Sequence, residues 1–168
     1  AGIHAPLLAG ATCLLPPAAV TGMSYAGPDP ARLLACIAET RPQSIVLVPE
    51  LLRLLVSAAD HGWRVPSSLR FVAVGGASVS VDLLARAEAA GLPVYEGYGL
   101  SECASVVCLN TPEGQRRGSV GRPLPHARLR IAADGQIMVS GVTMLGYLGA
   151  PPRRADEEWA TGDLGEID

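Results

Sequence analysis

Two β-branched apolar runs, each followed closely by a helix-type stretch, constrain this chain more than any other feature. Residues 44–48 (SIVLV) are unbroken and are followed by Pro49 and by residues 50–59, where Leu51, Leu52, Leu54, Leu55 and Val56 make a broad apolar stripe. Residues 69–74 (LRFVAV) run into Gly75-Gly76 and then into residues 81–90, with Ser80 placed as a cap and Gly91 and Pro93 as a stop. An unbroken apolar run predicts a strand covered on both faces, and the following stripe predicts an amphipathic helix. Strands that alternate with helices are joined by right-handed crossovers, which predicts an α/β fold with a mostly parallel sheet and flanking helices. The same logic places a helix from Asp29-Pro30 to Glu39, with Asp29 as N-cap, a short buried strand at residues 11–15 (ATCLL), and a further strand beginning at Val94-Tyr95.

After Asn110 the pattern changes. Residues 111–118 (TPEGQRRG) are polar and turn-rich, and residues 127–131 and 136–140 alternate on either side of Asp134-Gly135, a hairpin signal. The sequence therefore divides into an α/β part, residues 1–110, and a β-rich part resembling a partial barrel, residues 111–168.

Charge narrows the function. The 13 basic residues are all arginine, and the net charge is −3. Without a cationic cluster to neutralise phosphates, nucleic-acid binding is not expected. Lysine chemistry of any kind is absent from this stretch. Residues 1–28 carry no charged side chain, but Gly2, Pro6, Gly10, Pro16, Pro17, Gly22, Gly27 and Pro28 interrupt them too often for a membrane span. Cys13, Cys36, Cys103 and Cys108 have no zinc-type spacing and read as reduced thiols in a cytoplasmic protein. His4, His61 and His126 are scattered and suggest no ligand set.

Two glycine-rich loops follow predicted parallel strands: Gly75-Gly76-Ala77-Ser78 and Gly97-Tyr98-Gly99-Leu100-Ser101-Glu102. In open α/β sheets, ligands bind at the carboxyl ends of the strands. Glycines admit a ligand close to the backbone and supply amide donors. Tyr98 offers a flat face, Ser101 a hydroxyl, and Glu102 a hard carboxylate suited to Mg²⁺. In a third cluster, Thr161-Gly162-Asp163-Leu164-Gly165, the Asp could accept from a ribose diol, but taken alone the cluster reads as an Asx-type turn at a strand end.

Taken together and in order, these motifs resemble those of the adenylate-forming enzymes, which include acyl-CoA synthetases, aryl-CoA ligases and peptide-synthetase adenylation domains. Tyr98-Gly99-Leu100-Ser101-Glu102 is similar to the family's Tyr-Gly-x-Thr/Ser-Glu signature, and Gly75-Gly76-Ala77 to its adenine-side loop. Gly118-Ser119-Val120-Gly121-Arg122-Pro123, residues 134–148 and Thr161-Gly162-Asp163-Leu164-Gly165 resemble later motifs, so the likeness runs from about Ile3 to Asp168. Ser101 stands where Thr is commoner, Gln136 where Glu is usual, and Trp159 where Tyr or Phe is usual.

The resemblance implies an AMP-forming ligase that joins a carboxylic acid to ATP as an acyl-adenylate and passes the acyl group to coenzyme A or a carrier-protein pantetheine. It implies that Tyr98 stacks on adenine against Gly75, Gly76 and Ala77, with Glu96 near the adenine amino group and Gly97 and Gly99 framing the loop. Ser101 would contact the α-phosphate, Glu102 would hold Mg²⁺, and Asp163 would bind the ribose hydroxyls. The small Gly97 would leave an open acyl pocket, which favours a medium or long-chain fatty acid. The family's phosphate-loop and C-terminal lysines would lie outside this stretch, so the chain reads as an internal fragment, inactive by itself. Two other readings remain: an amino-acid adenylation domain of a modular synthetase, and a non-catalytic nucleotide-binding relic.

Overall fold

A computed structural model of the chain describes residues 2–154 and 157–168. The chain divides into two compact units, Ala1–Tyr95 and Glu96–Asp168. The compositional change at Asn110 thus falls inside the second unit.

The first unit opens with short pieces: α1 (His4–Leu8), α2 (Ala18–Thr21), and a two-residue ribbon of β1 (Met23–Ser24) on β2 (Gly27–Pro28). The strand expected at residues 11–15 does not form; these residues are irregular, and all but Cys13 are exposed. Gly10 leads in at φ 73°, and Pro16 and Pro17, which lack N–H groups, follow, so neither flank supports a ladder.

From here the sequence reading holds closely. Helix α3 (Pro30–Thr40) starts where Asp29 accepts from the Arg32 N–H at 3.2 Å, with Pro30 in the first turn. β3 (Ser44–Leu47) leads through Val48 into α4 (Pro49–Asp60), whose Leu52, Leu55 and Val56 are fully buried. β4 (Phe71–Val74) pairs in parallel with β3, Ser44 opposite Phe71 and Leu47 opposite Val74. Helix α5 (Val81–Ala89) is capped by Ser80, whose hydroxyl accepts from the Leu83 N–H at 3.2 Å. β5 (Val94–Tyr98) begins at the end of this unit, where the Val72 N–H donates to the Pro93 carbonyl and Phe71 stacks on Tyr95 at 4.5 Å.

The core of this unit is a single aliphatic cluster that includes Leu33, Leu47, Leu52, Leu55, Val72, Leu83 and Val94. Contrary to the reading of residues 44–48, β3 is covered on one face only: Leu47 is buried, whereas Val46 is 66% exposed.

The second unit is antiparallel. Gly97 and Tyr98 of β5 pair with β6 (Cys108–Leu109), which pairs in turn with β7 (Arg122–Pro123). β8 (Arg128–Ile131) and β9 (Gln136–Ser140) form the expected hairpin across Asp134-Gly135, with Gly135 at φ 85° as its turn requires. β10 (Trp159–Leu164) lies on β9 with a bulge between Ala160 and Leu164. The closed core here is small: Cys103, Val107, Cys108, Ala127 and Val139. Among the described residues, no helix is long and apolar enough to cross a membrane.

Candidate functional site

Gly75, Gly76 and Ala77 sit where expected, in the loop after β4 in the first unit. The Gly75 N–H extends the ladder to the Leu47 carbonyl at 3.2 Å, and Gly76 adopts φ 86°. Gly76 and Ala77 are exposed.

The remaining candidates lie in the second unit. Glu96, Gly97 and Tyr98 occupy the end of β5, and the chain then makes a closed loop back to β6. Val107 donates to the Tyr98 carbonyl at 2.8 Å and Asn110 to the Glu96 carbonyl at 3.0 Å, which ties the two loop ends together. Gly99 is required by this closure, because a Cβ there would stand 1.6 Å from the Ser105 carbonyl oxygen. The loop carries a 3₁₀ turn, Ser101–Cys103, followed by Ala104 at φ 55° and Ser105 at φ 87°. Non-glycine residues in that region cost on the order of 1–3 kcal/mol each and persist only where surroundings hold them. Ser101 stands exposed at the head of this turn, with Glu102 beside it.

Gly97 has a different explanation from the one its size suggested. A Cβ there would meet the Cys108 carbonyl and the Leu109 side chain, both at 3.0 Å. Close packing of β6 therefore accounts for the glycine.

Two carboxylates are each met by a tyrosine hydroxyl. Asp163, on the bulge of β10, accepts from the Tyr98 hydroxyl at 2.6 Å across 65 residues of sequence. Gly162, at φ 82°, and a bond from the Asp163 N–H to the Thr161 hydroxyl shape that bulge, and Thr161 donates in turn to the Ile137 carbonyl at 2.9 Å. The Asx-type and ribose readings thus concern one bulge that presents an exposed carboxylate. Burial, and after it the bond to Asp163, push the Tyr98 phenol up to about 12, so it remains a donor.

The second pair is Glu102 and Tyr147, whose hydroxyl donates to Glu102 Oε1 at 2.7 Å. That bond, followed by the Glu102 N–H, holds the Glu102 carboxyl below its usual range, and the same bond raises the Tyr147 phenol. Tyr147 was not singled out from the sequence; only the Gly-Tyr pattern at 146–147 pointed to it. Asn110 was missed as well. It is 2% exposed, and its amide donates to the Glu96 and Ser119 carbonyls at 3.1 and 2.6 Å while accepting from the Arg116 N–H at 2.9 Å.

No group of three or more His, Cys, Asp or Glu side chains suited to a metal occurs among the described residues. A lone carboxylate such as Glu102 fits Mg²⁺ that arrives on nucleotide phosphates, since this ion is usually held by one or two carboxylates plus substrate oxygens. It does not fit an all-protein metal cage.

Comparison with known proteins decides the family. The family described as AMP-binding enzyme matches residues 1–148, a stretch that includes the Tyr98–Glu102 loop and Tyr147. The chain belongs to the AMP-binding enzyme family. It is 31% identical over 156 residues to a 2-succinylbenzoate–CoA ligase of Bacillus pumilus, covering 83% of this chain and 32% of that protein. It is 40% identical over 99 residues to the long-chain-fatty-acid–CoA ligase FadD15 of Mycobacterium bovis, covering 56% of this chain and 16% of the relative. The O-succinylbenzoate coenzyme A synthetase (MenE) of Bacillus subtilis, solved with ATP and magnesium ion, superposes with a TM-score of 0.66 at 28% identity, over 83% of this chain and 32% of that one. The chain therefore spans between 16% and 32% of the length of these relatives.

Proposed function

We propose that this chain is the nucleotide-handling part of an AMP-forming acid–CoA ligase. The acid's carboxylate oxygen would attack the α-phosphorus of ATP, the bond to pyrophosphate would break, and the acyl-adenylate would pass its acyl group to the thiol of coenzyme A with release of AMP. The observation that carries this reading is the Tyr98–Asp163 contact. A flat ring and an exposed carboxylate, 65 residues apart in sequence, meet on one strand end and one bulge. A ring that can stack on adenine and a carboxylate that can accept from a ribose diol are the two contacts a nucleoside needs.

The other assignments follow the loop. Ser101 is exposed at the head of the turn, where its hydroxyl can meet the α-phosphate, and Glu102 beside it would hold the metal that accompanies the nucleotide. Mg²⁺, when bound, would offset the negative charge that gathers at the α-phosphate. This chain's own part is positioning: no side-chain nucleophile is needed, because the substrate supplies it. Glu96, two residues before Tyr98, would accept from the adenine amino group.

For the acid, we propose a medium or long-chain fatty acid, supported by the likeness to FadD15 at 40% identity. The size of Gly97 no longer adds weight, since packing accounts for it. ATP–pyrophosphate exchange by the whole protein across a fatty-acid series, 2-succinylbenzoate and amino acids tests this point. Exchange with 2-succinylbenzoate or an amino acid alone would overturn the fatty-acid assignment and leave the ligase class standing.

The nucleotide reading has its own test. Asp163→Ala removes a charged acceptor of two hydrogen bonds, so ATP affinity measured by calorimetry should fall at least about tenfold. Unchanged affinity would sink the ribose assignment.

A further inference from the structure

The segment between β9 and β10 is bound to the Ser101–Cys103 turn at two points on one residue. The Met144 N–H donates to the Glu102 carbonyl at 2.7 Å, and the Tyr147 hydroxyl donates to Glu102 Oε1 at 2.7 Å. Both the main chain and the side chain of Glu102 are thus fixed by the same strap. The Tyr147 ring is itself held, edge-on against Trp159 with ring centres 6.0 Å apart. Trp159 is paired with Val139 in the β9–β10 ladder, and the Arg153 guanidinium lies over its ring at 4.8 Å.

We infer that Tyr147 is a positioning residue for Glu102: its hydroxyl occupies one carboxylate oxygen, so that a magnesium–nucleotide meets the carboxylate from one fixed direction. The inference rests on the proposed role of Glu102 toward magnesium. A glutamate on a surface turn turns freely about its side-chain bonds, and that freedom is lost each time a cation binds. A hydrogen bond from an anchored ring removes the freedom in advance. It also acts on ion choice. Mg²⁺ demands near-octahedral geometry, whereas Ca²⁺ accepts bidentate carboxylates in looser shells. An oxygen already engaged by a phenol disfavours bidentate binding and so favours the smaller ion.

The test is a binding titration on the full chain with a fluorescent ATP analogue, adding MgCl2 or CaCl2 to the wild type, Tyr147→Phe, Glu102→Gln and the double variant. Phenylalanine keeps the ring on Trp159 and removes only the hydroxyl. Tyr147→Phe should raise the half-saturating Mg²⁺ roughly three- to tenfold, the range expected for one lost hydrogen bond to a charged group. It should narrow the preference for Mg²⁺ over Ca²⁺ and leave the metal-free nucleotide affinity and the thermal midpoint unchanged. In the Glu102→Gln background it should add nothing.

A raised Mg²⁺ requirement in Glu102→Gln with a wild-type response in Tyr147→Phe would overturn this inference and spare the role of Glu102. No change in either variant would remove Glu102 from the metal and the inference with it. Loss of metal-free affinity together with a lower thermal midpoint in Tyr147→Phe would make Tyr147 a structural residue and also overturn the inference.

Discussion

In the first unit, α3, α4 and α5 send Leu33, Leu52, Leu55, Val56, Leu83 and Leu84 into one cluster with the strand residues Leu47, Val72, Val74 and Val94. In the second unit the closed core is only five residues, two of them cysteines and one alanine, and the loops are held by single side chains. Asn110 ties residues 96, 116 and 119 together, Tyr98 meets Asp163, and Tyr147 meets Glu102. Apolar burial is non-directional and shared among many neighbours, so it suits a scaffold. A hydrogen bond fixes two named groups in one geometry, so it suits loops that must present a hydroxyl or a carboxylate in a set direction. The unit with the smaller core is the one that carries most of the candidate site.

Each unit holds one tryptophan, Trp63 in the first and Trp159 in the second, so single-tryptophan variants can report the two separately. Leu55→Ala should have the larger effect. Leu55 is fully buried, and its truncation should cost about 2–5 kcal/mol in urea unfolding followed at Trp63. Asn110→Ala should cost about 1–3 kcal/mol, read at Trp159, because the Arg116 N–H and the Ser119 carbonyl lose their partner. The contrast breaks if both substitutions move both reporters equally, since the chain would then unfold as one cooperative body.

The same contrast explains what could be read from the sequence. Asp29 and Ser80 were legible as caps because their acceptor function is local, reaching a backbone N–H three residues on. The Asp134-Gly135 hairpin was legible because a two-strand turn needs that chemistry. The stripe on α4 was legible through periodicity. Asn110 was not: an isolated asparagine before a polar loop has no period, and its three partners lie 6 to 14 residues away. Tyr147 lies 45 residues from Glu102, beyond any local rule. The failures at residues 11–15 and at Val46 have another cause. An apolar run states that burial would be favourable, but it does not state what covers it. Within the site, motif order placed the nucleotide candidates on their loops. Only the coordinates show that Gly97 is set by the approach of Cys108 and Leu109.

The smallest expected effect sharpens the comparison through pH. Burial pushes the Cys108 thiol from 9.0 up to about 11, and burial, with Asp163 after it, pushes the Tyr98 phenol from 10.0 up to about 12. Both groups stay neutral longer in the folded second unit than in the unfolded chain. Their contribution is therefore complete below about pH 9 and is lost as the unfolded chain begins to ionise. Stability read at Trp159 should decline from about pH 9 to 11 through Cys108 and from about pH 10 to 12 through Tyr98. Cys108→Ala should shrink the phase that begins near pH 9, and Cys103, whose thiol burial also pushes up, keeps the remainder. Tyr98→Phe should remove the later one and, in an ultraviolet phenolate titration, delete the highest-titrating tyrosine. A Cys108→Ala protein that weakens between pH 9 and 11 as much as the wild type would mean that the small core of the second unit does not keep the Cys108 thiol from water in solution. The hydrogen bonds would then be holding a looser body than the one described.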